Sequence, residues 1–366
     1  MKFIFYQNML SIHQHALLTA LTKRHEVTLV AEQANLAFRA ITGWDVPEFE
    51  GCRLVVSPDD TTLRELVEVT DAVHIFSGMT AFPMVRQALE YSLAKDVLRL
   101  AFLEPLSPLG WRAPLRKLRY RLSASCYNRK IAGFLCTGKL GVECFRSVGF
   151  AQEKIFEFGY FTDPPQGSAD GGCDDAGELP SVVFVGSLDR RKNVLALAEF
   201  LVDMRDEFGT ADFIGKGIFQ DRLIEIIGGK PNIHYLGSVD NSKIGGVMGQ
   251  HDILVLPSLF DGWGAVVNEA LQCGCRVVVS DNCGAASLID GSSRGTVYSN
   301  RRKNGLKDAL RRELGRGRST PNMRREIRDW SAKSISGAVV ADYLERIVEF
   351  ITNGAERPLP PWQMER

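Results

Sequence analysis

The sequence predicts an α/β protein with two doubly wound parallel sheets, each in its own domain. The chain has 366 residues, which is more than one hydrophobic core of ordinary size organises. Short runs of β-branched and aromatic residues alternate with helical stretches, a pattern typical of parallel strands joined by helices. The alternation stops at residues 162–180, where prolines, glycines and acids predominate, and then begins again.

Ten short apolar runs give the predicted strands. Five precede the break: Lys2–Tyr6, Glu26–Val30, Leu54–Val56, Ala72–Phe76 and Val97–Leu103. Five follow it: Val182–Val185, Ala211–Ile214, Ile233–Leu236, Ile253–Leu256 and Arg276–Ser280. We therefore expect an N-terminal Rossmann-like domain over residues 1–162, a linker over 163–180 and a C-terminal Rossmann-like domain over 181–334.

A helical pattern of apolar residues extends from about Asn322 to Ile351, with no predicted strand after it. A terminal helix of this kind can tie two domains together. We therefore expect the C-terminal residues 335–366 to pack back on the N-terminal domain.

The composition argues against attraction of the whole molecule to nucleic acid, against a zinc site and against a membrane-spanning segment. Lys and Arg balance Asp and Glu, 44 against 44, so no net charge draws the whole molecule to nucleic acid. The eight cysteines lack the spacing of a zinc site and are expected to be reduced thiols. The N-terminus has no signal-peptide pattern, and no run of about 18 apolar residues occurs. We therefore expect a cytoplasmic protein.

Residues 254–281 hold the densest group of candidate site residues. A buried strand ends at Pro257, a glycine-containing loop follows, and a helix begins near Gly264. Free N–H groups at a helix start bind anions such as a diphosphate. Asp261 in the loop and Glu269 in the helix face different parts of a bound molecule, and carboxylates suit sugar hydroxyls. An acid, two glycines and a helix also occur in ordinary loops of α/β proteins, which leaves a purely structural role open.

This stretch resembles the donor-binding motif of the retaining family-4 glycosyltransferases (glycosyltransferases group 1). These enzymes have the GT-B fold, in which two Rossmann-like domains face a cleft. Their motif has Pro-Ser, then a Glu-x7-Glu pattern with Gly-Phe-Gly after the first acid, then Glu-Ala and Gly-x-Pro-Val-Val. The counterparts here are Pro257, Ser258, Asp261, Gly262, Trp263, Gly264, Glu269, Ala270 and Gly274. The chain departs at Asp261, Trp263 and Arg276, where the family has glutamate, phenylalanine and proline.

A second segment, Phe184–Asn193, resembles the family's Val-Gly-Arg-Leu-x-x-x-Lys-Gly, whose arginine and lysine grip the donor diphosphate. Lys192 falls on the family lysine, whereas Ser187 replaces the arginine, so we expect Arg190 or Arg191 to supply the second cation. A solvated basic loop is the alternative. The full set of donor-binding residues that the resemblance implies is Gly186, Arg190, Lys192, Gly215, Leu236, Gly262, Trp263, Gly264, Ala265, Val266 and Glu269.

The acceptor-binding candidates lie in the N-terminal domain. The first loop, at residues 7–15, lacks the glycine pair of the resembling family. Its His13 and His15 either touch a ligand or have capping and surface roles. Glu104 follows the fifth predicted strand, where open α/β sheets bind ligands. It either handles the proton of the acceptor hydroxyl or lies solvated in a loop.

The resemblance implies transfer of a hexose-type sugar, with retention, from a UDP-, GDP- or ADP-sugar to a glycan or lipid-linked acceptor in surface polysaccharide or glycolipid assembly. Its predicted catalytic residues are Asp261, Glu269, Lys192, Arg191 and Glu104. Asp261 would hold the donor sugar, Glu269 the ribose, and the cations the leaving diphosphate. No cofactor beyond the donor is expected, and no catalytic metal, because the chain has no Asp-x-Asp. A sugar-nucleotide epimerase of GT-B fold and a noncatalytic sugar-nucleotide-binding protein are the alternatives.

Residues 111–130 are strongly basic. Between Glu104 and Glu143 there are eight basic residues and no acid. Trp111, Leu115, Leu118 and Leu122 recur at helical spacing between flanking cations, which predicts an amphipathic helix. Either its leucines face the N-terminal core, or the helix lies against an anionic membrane surface, on which the protein would be peripheral, or cradles the diphosphate of a lipid-linked acceptor.

Overall fold

The computed structural model describes residues 1–34, 48–165, 177–289 and 293–364. The chain forms two compact units. The N-terminal unit is Met1–Asp163 together with Ser334–Arg366, and the C-terminal unit is Pro164–Lys333. Of the predicted linker, residues 166–176 lie outside the described residues.

The described residues of the N-terminal unit form one parallel sheet with the strand order β3-β2-β1-β4-β5-β6-β7. Its strands are β1 (Lys2–Met9), β2 (Glu26–Gln33), β3 (Cys52–Val56), β4 (Ala72–Ser77), β5 (Leu98–Leu103), β6 (Gly133–Thr137) and β7 (Ile155–Phe158). The strand order reverses between β1 and β4. In open sheets of this kind, ligands bind at the carboxyl ends of the strands beside such a reversal.

Helices cover the N-terminal sheet on its two faces. They are α1 (Ile12–Thr22), α2 (Asp60–Val67), α3 (Pro83–Ser92), α4 (Ala113–Lys130) and α5 (Gly138–Ser147). Ser11 caps α1 by accepting from His13 N at 3.3 Å, and Asp59 caps α2 by accepting from Thr62 N at 2.8 Å. The core between helices and sheet includes the fully buried rings of Tyr6, Phe76, Phe134 and Phe145.

The C-terminal unit repeats this architecture with the strand order β10-β9-β8-β11-β12-β13, again all parallel in the described residues. Its strands are β8 (Val182–Val185), β9 (Ala211–Ile214), β10 (Ile233–Gly237), β11 (Ile253–Leu256), β12 (Arg276–Ser280) and β13 (Gly295–Tyr298). Its helices are α6 (Val194–Asp203), α7 (Gln220–Ile227), α8 (Asn241–Gly249), α9 (Val266–Gln272), α10 (Gly305–Leu314) and α11 (Pro321–Ser334). The predicted fold class, two doubly wound parallel sheets, is confirmed.

The prediction of one helix over Asn322–Ile351 is wrong. The chain forms α11 and then α12 (Gly337–Asn353), because the backbone turns extended at Ser336, with φ −70° and ψ 154°. Helix α12 returns to the N-terminal unit and packs against α1. A Cβ at Gly337 would lie only 2.2 Å from the carbonyl oxygen of Ala16, so glycine permits this close approach.

The rest of α12 and the tail also pack on the N-terminal unit. Tyr343 stacks on Phe158 with ring centres 5.8 Å apart, and its hydroxyl donates to the carbonyl of Glu157 at 3.1 Å. Trp362 Nε1 donates to the Glu157 carboxylate at 2.9 Å. The last described segment is therefore part of the N-terminal core.

Arg276, where the resembling family has proline, is fully buried at the start of β12. Its guanidinium donates to the carboxylate of Glu313 at 3.1 Å, to the Glu313 carbonyl at 2.9 Å and to Ser319 Oγ at 3.2 Å. A buried charge persists only when it is paired and hydrogen-bonded in this way. The departure from the family pattern therefore fastens β12 to the end of α10.

Seven of the eight cysteines lie in the described residues, and all seven are unpaired, as expected for reduced thiols. Within the described ranges, no helix is long and apolar enough to cross a membrane.

Candidate functional site

The loop between β8 and α6 presents Lys192. Asp189 organises this loop, because its carboxylate accepts from Ser187 Oγ at 2.8 Å and from Lys192 N at 2.9 Å. Asn193 ends the loop in the left-handed region, with φ 56°, and thereby redirects the chain into α6. Ser187, which occupies the family's arginine position, is thus a structural residue of the loop.

The loop between β11 and α9 presents Asp261. Its backbone is tied to the segment after β12: Asp261 N donates to the Asn282 carbonyl at 2.9 Å, and Ala285 N donates to the Trp263 carbonyl at 2.8 Å. The buried indole of Trp263 donates to Asn268 Oδ1 at 3.2 Å. Helix α9 begins at Val266, two residues after the predicted start at Gly264. The loop between β11 and α9 is therefore fixed both to the segment after β12 and to α9.

A buried ion pair joins the two loops. Lys192 Nζ donates to Asp261 Oδ2 at 2.6 Å, and the partly exposed Arg191 reaches the same oxygen at 3.3 Å. Burial acts to raise the pKa of the Asp261 carboxyl, but the charges of Lys192 and Arg191 outweigh it and hold that pKa below its usual value. One ionised carboxylate therefore faces two cations, which leaves a local surplus of positive charge.

Glu269 lies in the first turn of α9, close enough to Lys192 for their charges to interact. Burial raises the pKa of its carboxyl to about 7, although Lys192 acts in the opposite direction. A carboxyl that titrates near neutral pH beside a buried lysine is typical of a functional site.

Glycines allow the backbones of this site to approach closely. A Cβ at Gly215 would lie 1.9 Å from the Gly186 carbonyl oxygen, and one at Gly217 would lie 2.4 Å from that of Leu188. Gly264 has φ +90°, and a Cβ there would lie 2.7 Å from Cys283 Sγ. These glycines thus let two pairs of segments approach closely, those after β8 and β9 and those after β11 and β12.

The structure brings most of the predicted donor residues into one region. Gly186, Gly215, Arg191, Lys192, Asp261, Gly264 and Glu269 are linked by the contacts given above. Gly262, Trp263, Ala265 and Val266 belong to the same loop and helix start. Leu236, nearly half exposed, precedes Gly237, the last residue of β10, whose carbonyl accepts from Gly215 N at 2.8 Å. The sequence left open whether Arg190 or Arg191 is the second cation beside Lys192. In the structure Arg191 pairs with Asp261, whereas Arg190 is exposed.

A separate cavity of about 730 Å³ lies in the N-terminal unit, at the reversal between β1 and β4. Glu104 and His13 line it, as does Tyr160. His15 does not line it: its Nδ1 bonds Asp163 at 2.5 Å and its Nε2 bonds the Glu48 carbonyl at 2.8 Å, and the Asp163 bond raises the pKa of His15. Of the two histidines, His13 thus lines the cavity and His15 has a structural position.

Sequence reasoning missed two glutamines of this cavity, Gln7 at the end of β1 and Gln14 in α1. They are only 3% and 5% exposed, yet Gln7 Nε2 and Gln14 Oε1 have no hydrogen-bond partner among the described residues. The available signal was Gln7 itself, a polar residue after an unbroken apolar run at the carboxyl end of a strand.

Helix α4 exposes its apolar residues. Trp111, Leu115, Leu118 and Leu122 have between 51% and 78% of their surface in solvent. The buried residues of α4 are Ala113 and Ala124 instead. The alternative in which the leucines face the N-terminal core is therefore wrong, because helical spacing defines a face but not which way it points.

In the described part of the chain, no group of three or more His, Cys, Asp and Glu side chains is placed to hold a metal ion. Two cations of the C-terminal loops, one of them buried, can bind a diphosphate, and the two carboxyl groups can bind hydroxyls.

Residues 179–315 match the protein family described as glycosyl transferases group 1. Over 118 residues the chain is 29% identical to the sulfoquinovosyl transferase SQD2 of Arabidopsis thaliana. Over 107 residues it is 33% identical to TuaC of Bacillus subtilis, whose name assigns it as a teichuronic acid biosynthesis glycosyltransferase. These alignments cover 32% and 29% of the chain but only 22% and 26% of the two relatives.

The whole chain is similar in structure to HepE from Anabaena, crystallised in complex with UDP. The TM-score is 0.69 at 14% identity, over 95% of this chain and 100% of HepE. The fold is therefore that of the GT-B glycosyltransferases, with two Rossmann-like α/β domains. The family match thus lies within the C-terminal unit, and the fold of the chain is that of the GT-B glycosyltransferases.

Proposed function

We propose that the protein is a glycosyltransferase that takes a sugar from a nucleoside-diphosphate sugar and transfers it to an acceptor hydroxyl. The observation that carries this proposal is the buried Lys192–Asp261 pair with Glu269 beside it. Lys192 lies 69 positions before Asp261 in the sequence, and all three residues lie inside the segment that matches the glycosyl transferases group 1 family.

The proposed donor site uses its positive charge for the leaving group. Lys192 and Arg191 bind the donor diphosphate, and they bind it more strongly as negative charge develops on the departing phosphate. The Asp261 carboxylate, which now pairs with both cations, keeps them in place and turns one oxygen to the hydroxyls of the donor sugar. The UDP and UDP-glucose complexes of the structurally similar HepE favour a nucleotide sugar as the donor.

Glu269 is proposed to bind the ribose of the donor. An ionised carboxylate accepts hydrogen bonds from two neighbouring hydroxyls, and such charge-assisted bonds are stronger than neutral ones. Because burial holds the pKa of Glu269 near 7, donor binding at neutral pH would draw off the remaining proton.

The retaining outcome and the independence from metal ions are also parts of the proposal. Retention rests on the resemblance of residues 257–269 to the retaining family. Asp261 is held in an ion pair and is therefore a poor candidate for a nucleophile. We propose instead that the acceptor hydroxyl attacks the donor sugar from the front face, assisted by the departing phosphate. Lys192 and Arg191 supply the charge that a divalent cation provides at Asp-x-Asp sites.

The acceptor is proposed to bind the N-terminal unit, whose cavity includes Glu104 as the candidate for handling the proton of the acceptor hydroxyl. Work in surface polysaccharide or glycolipid assembly, at the cytoplasmic face of a membrane, is in keeping with the names of SQD2 and TuaC and with the exposed apolar face of α4.

The proposal is tested by incubating the protein with UDP-, GDP- and ADP-sugars, with and without an extract of lipid-linked and soluble glycans. Transfer predicts that nucleoside diphosphate is released and a new α-glycoside appears only when acceptor is present. Conversion of the donor sugar without acceptor would instead identify an epimerase. Donor binding with no release under any condition would identify a noncatalytic binding protein.

A further inference from the structure

Apolar side chains line much of the cavity of the N-terminal unit, its buried polar side chains carry no charge, and its acid, Glu104, is exposed. Gln7, Gln14 and Ser77 line the cavity, and each has a buried polar atom without a hydrogen-bond partner among the described residues. Leaving such atoms unpaired costs stability, so a native protein keeps them where a ligand completes their bonds. An amide N–H, an amide oxygen and a hydroxyl together match a ligand with several hydroxyl groups.

The exposed side of the same cavity is basic and belongs to α4. Arg116 and Arg119 line it together with Tyr120. Arg116 also donates to the carbonyls of Ser107 at 2.6 Å and Leu109 at 2.8 Å, which fixes the loop between β5 and α4 against the helix. Arg119 is exposed at the edge of the cavity. A ligand whose hydroxyls are inside would therefore present an anionic group here.

The apolar residues of α4 form a face adjacent to its cavity-lining arginines. At 100° per residue, Leu115, Leu118 and Leu122 fall on the side opposite the buried Ala113 and Ala124, and Arg119 falls between this face and the cavity. Trp111 precedes the helix and is 78% exposed. Exposed leucines and a tryptophan among cations, with no acid between Glu104 and Glu143, are complementary to an anionic lipid surface.

We propose that α4 lies on an anionic membrane and that the adjoining cavity takes the polyhydroxylated headgroup of an anionic lipid. The lipid's phosphate meets Arg119, and its chains stay in the bilayer beside the leucines. This names the acceptor class as lipid-linked, an assignment that rests on the proposed transfer reaction; the binding itself does not depend on that reaction.

The experiment measures binding to vesicles without any donor, so its outcome is independent of catalysis. Vesicles of phosphatidylcholine carry about 20 mol% of either phosphatidylglycerol or phosphatidylinositol, which have equal charge but different headgroups. We expect binding to both and severalfold tighter binding to phosphatidylinositol, whose inositol ring fills the cavity. We also expect brominated acyl chains to quench Trp111, with the quenching lost in Trp111→Phe.

Two variants separate the surface from the cavity. Leu115→Gln/Leu118→Gln/Leu122→Gln should lose binding to both vesicles, whereas Ile218→Gln, an exposed apolar residue of the C-terminal unit, should not. Gln14→Met removes an unpaired buried oxygen, so its melting temperature should stay or rise. It should nevertheless lose the preference for phosphatidylinositol and keep binding to phosphatidylglycerol.

Equal binding of wild type to the two anionic vesicles would overturn the headgroup assignment. Absence of binding to either would overturn the membrane role, as would self-association of the wild type that the triple leucine variant abolishes. A Gln14→Met protein that keeps the full preference would show that Gln14 is structural and would refute the cavity argument.

Discussion

Replacing Glu269 with Gln should stabilise the unliganded protein, and increasingly so as the pH rises. Burial lifts the pKa of this carboxyl from 4.5 in its unperturbed state to about 7 in the folded protein. The folded state therefore holds this proton to higher pH than the unfolded chain does. Glu269 consequently costs stability above pH 4.5, increasingly up to its folded pKa, and the cost is fully present above about pH 7.

The size of this effect follows from the shift. A displacement from 4.5 to about 7 corresponds to roughly 3 kcal/mol at about 1.4 kcal/mol for each pKa unit. About 2 kcal/mol of it develops between pH 5.5 and pH 8. Glutamine keeps the shape of the protonated acid and has no charge to desolvate. The stability of Glu269→Gln relative to wild type should therefore rise by about 2 kcal/mol over this range.

Urea unfolding of both proteins at several pH values measures this difference directly. The same variant should bind the donor more weakly, because a charge-assisted hydrogen bond worth about 1.5 to 3 kcal/mol becomes a neutral one. A stability difference between variant and wild type that does not change with pH would refute the inference that burial disfavours the ionised form of Glu269. Unaltered donor affinity would refute its role at the ribose.

Three further predictions concern the C-terminal unit. Lys192→Ala should lower kcat more than it raises the donor KM in steady-state assays, because the leaving-group charge grows in the transition state, and EDTA should leave wild-type activity unchanged. Gly264→Ala should cost about 2 kcal/mol in urea unfolding, more than Gly317→Ala, because both glycines have positive φ but only a Cβ at Gly264 meets neighbouring atoms. Arg276→Leu should cost about 3 kcal/mol by leaving buried Glu313 short of its partner, and adding Glu313→Leu should recover part of this loss.

The strands that the sequence predicted most accurately are those buried on both faces. Val182–Val185, Ala211–Ile214, Ile253–Leu256 and Arg276–Ser280 have the predicted bounds, because helices on both sides of a parallel sheet favour largely apolar runs. Gly133–Thr137, Ile155–Phe158 and Gly295–Tyr298 were missed. The first and the last begin with glycine, and Gly133–Thr137 has a single β-branched residue, so local preference is weak there and pairing with the neighbouring strand decides the structure.

The sequence predicted which residues belong to the candidate site but not which of them form ion pairs with one another. Resemblance to family motifs indicated Lys192, Asp261 and Glu269, yet the ion pair across 69 positions depends on how two loops are held after separate strands. The choice of Arg191 over Arg190 is likewise set by the turn that Asp189 organises. Periodicity located the leucines of α4 on one face, but only packing shows that Ala113 and Ala124 occupy the core side.

We propose that the two loops of the C-terminal unit form a nucleoside-diphosphate site. Calorimetric titration of the protein with UDP, GDP and ADP, repeated with Arg191→Gln, measures whether such a site exists. Arg191 is partly exposed, so this change leaves the buried Lys192–Asp261 pair and the fold in place. We expect one of the three nucleotides to bind the wild type and to bind the variant about tenfold more weakly. Absence of binding by all three, or equal affinity of variant and wild type, would contradict it.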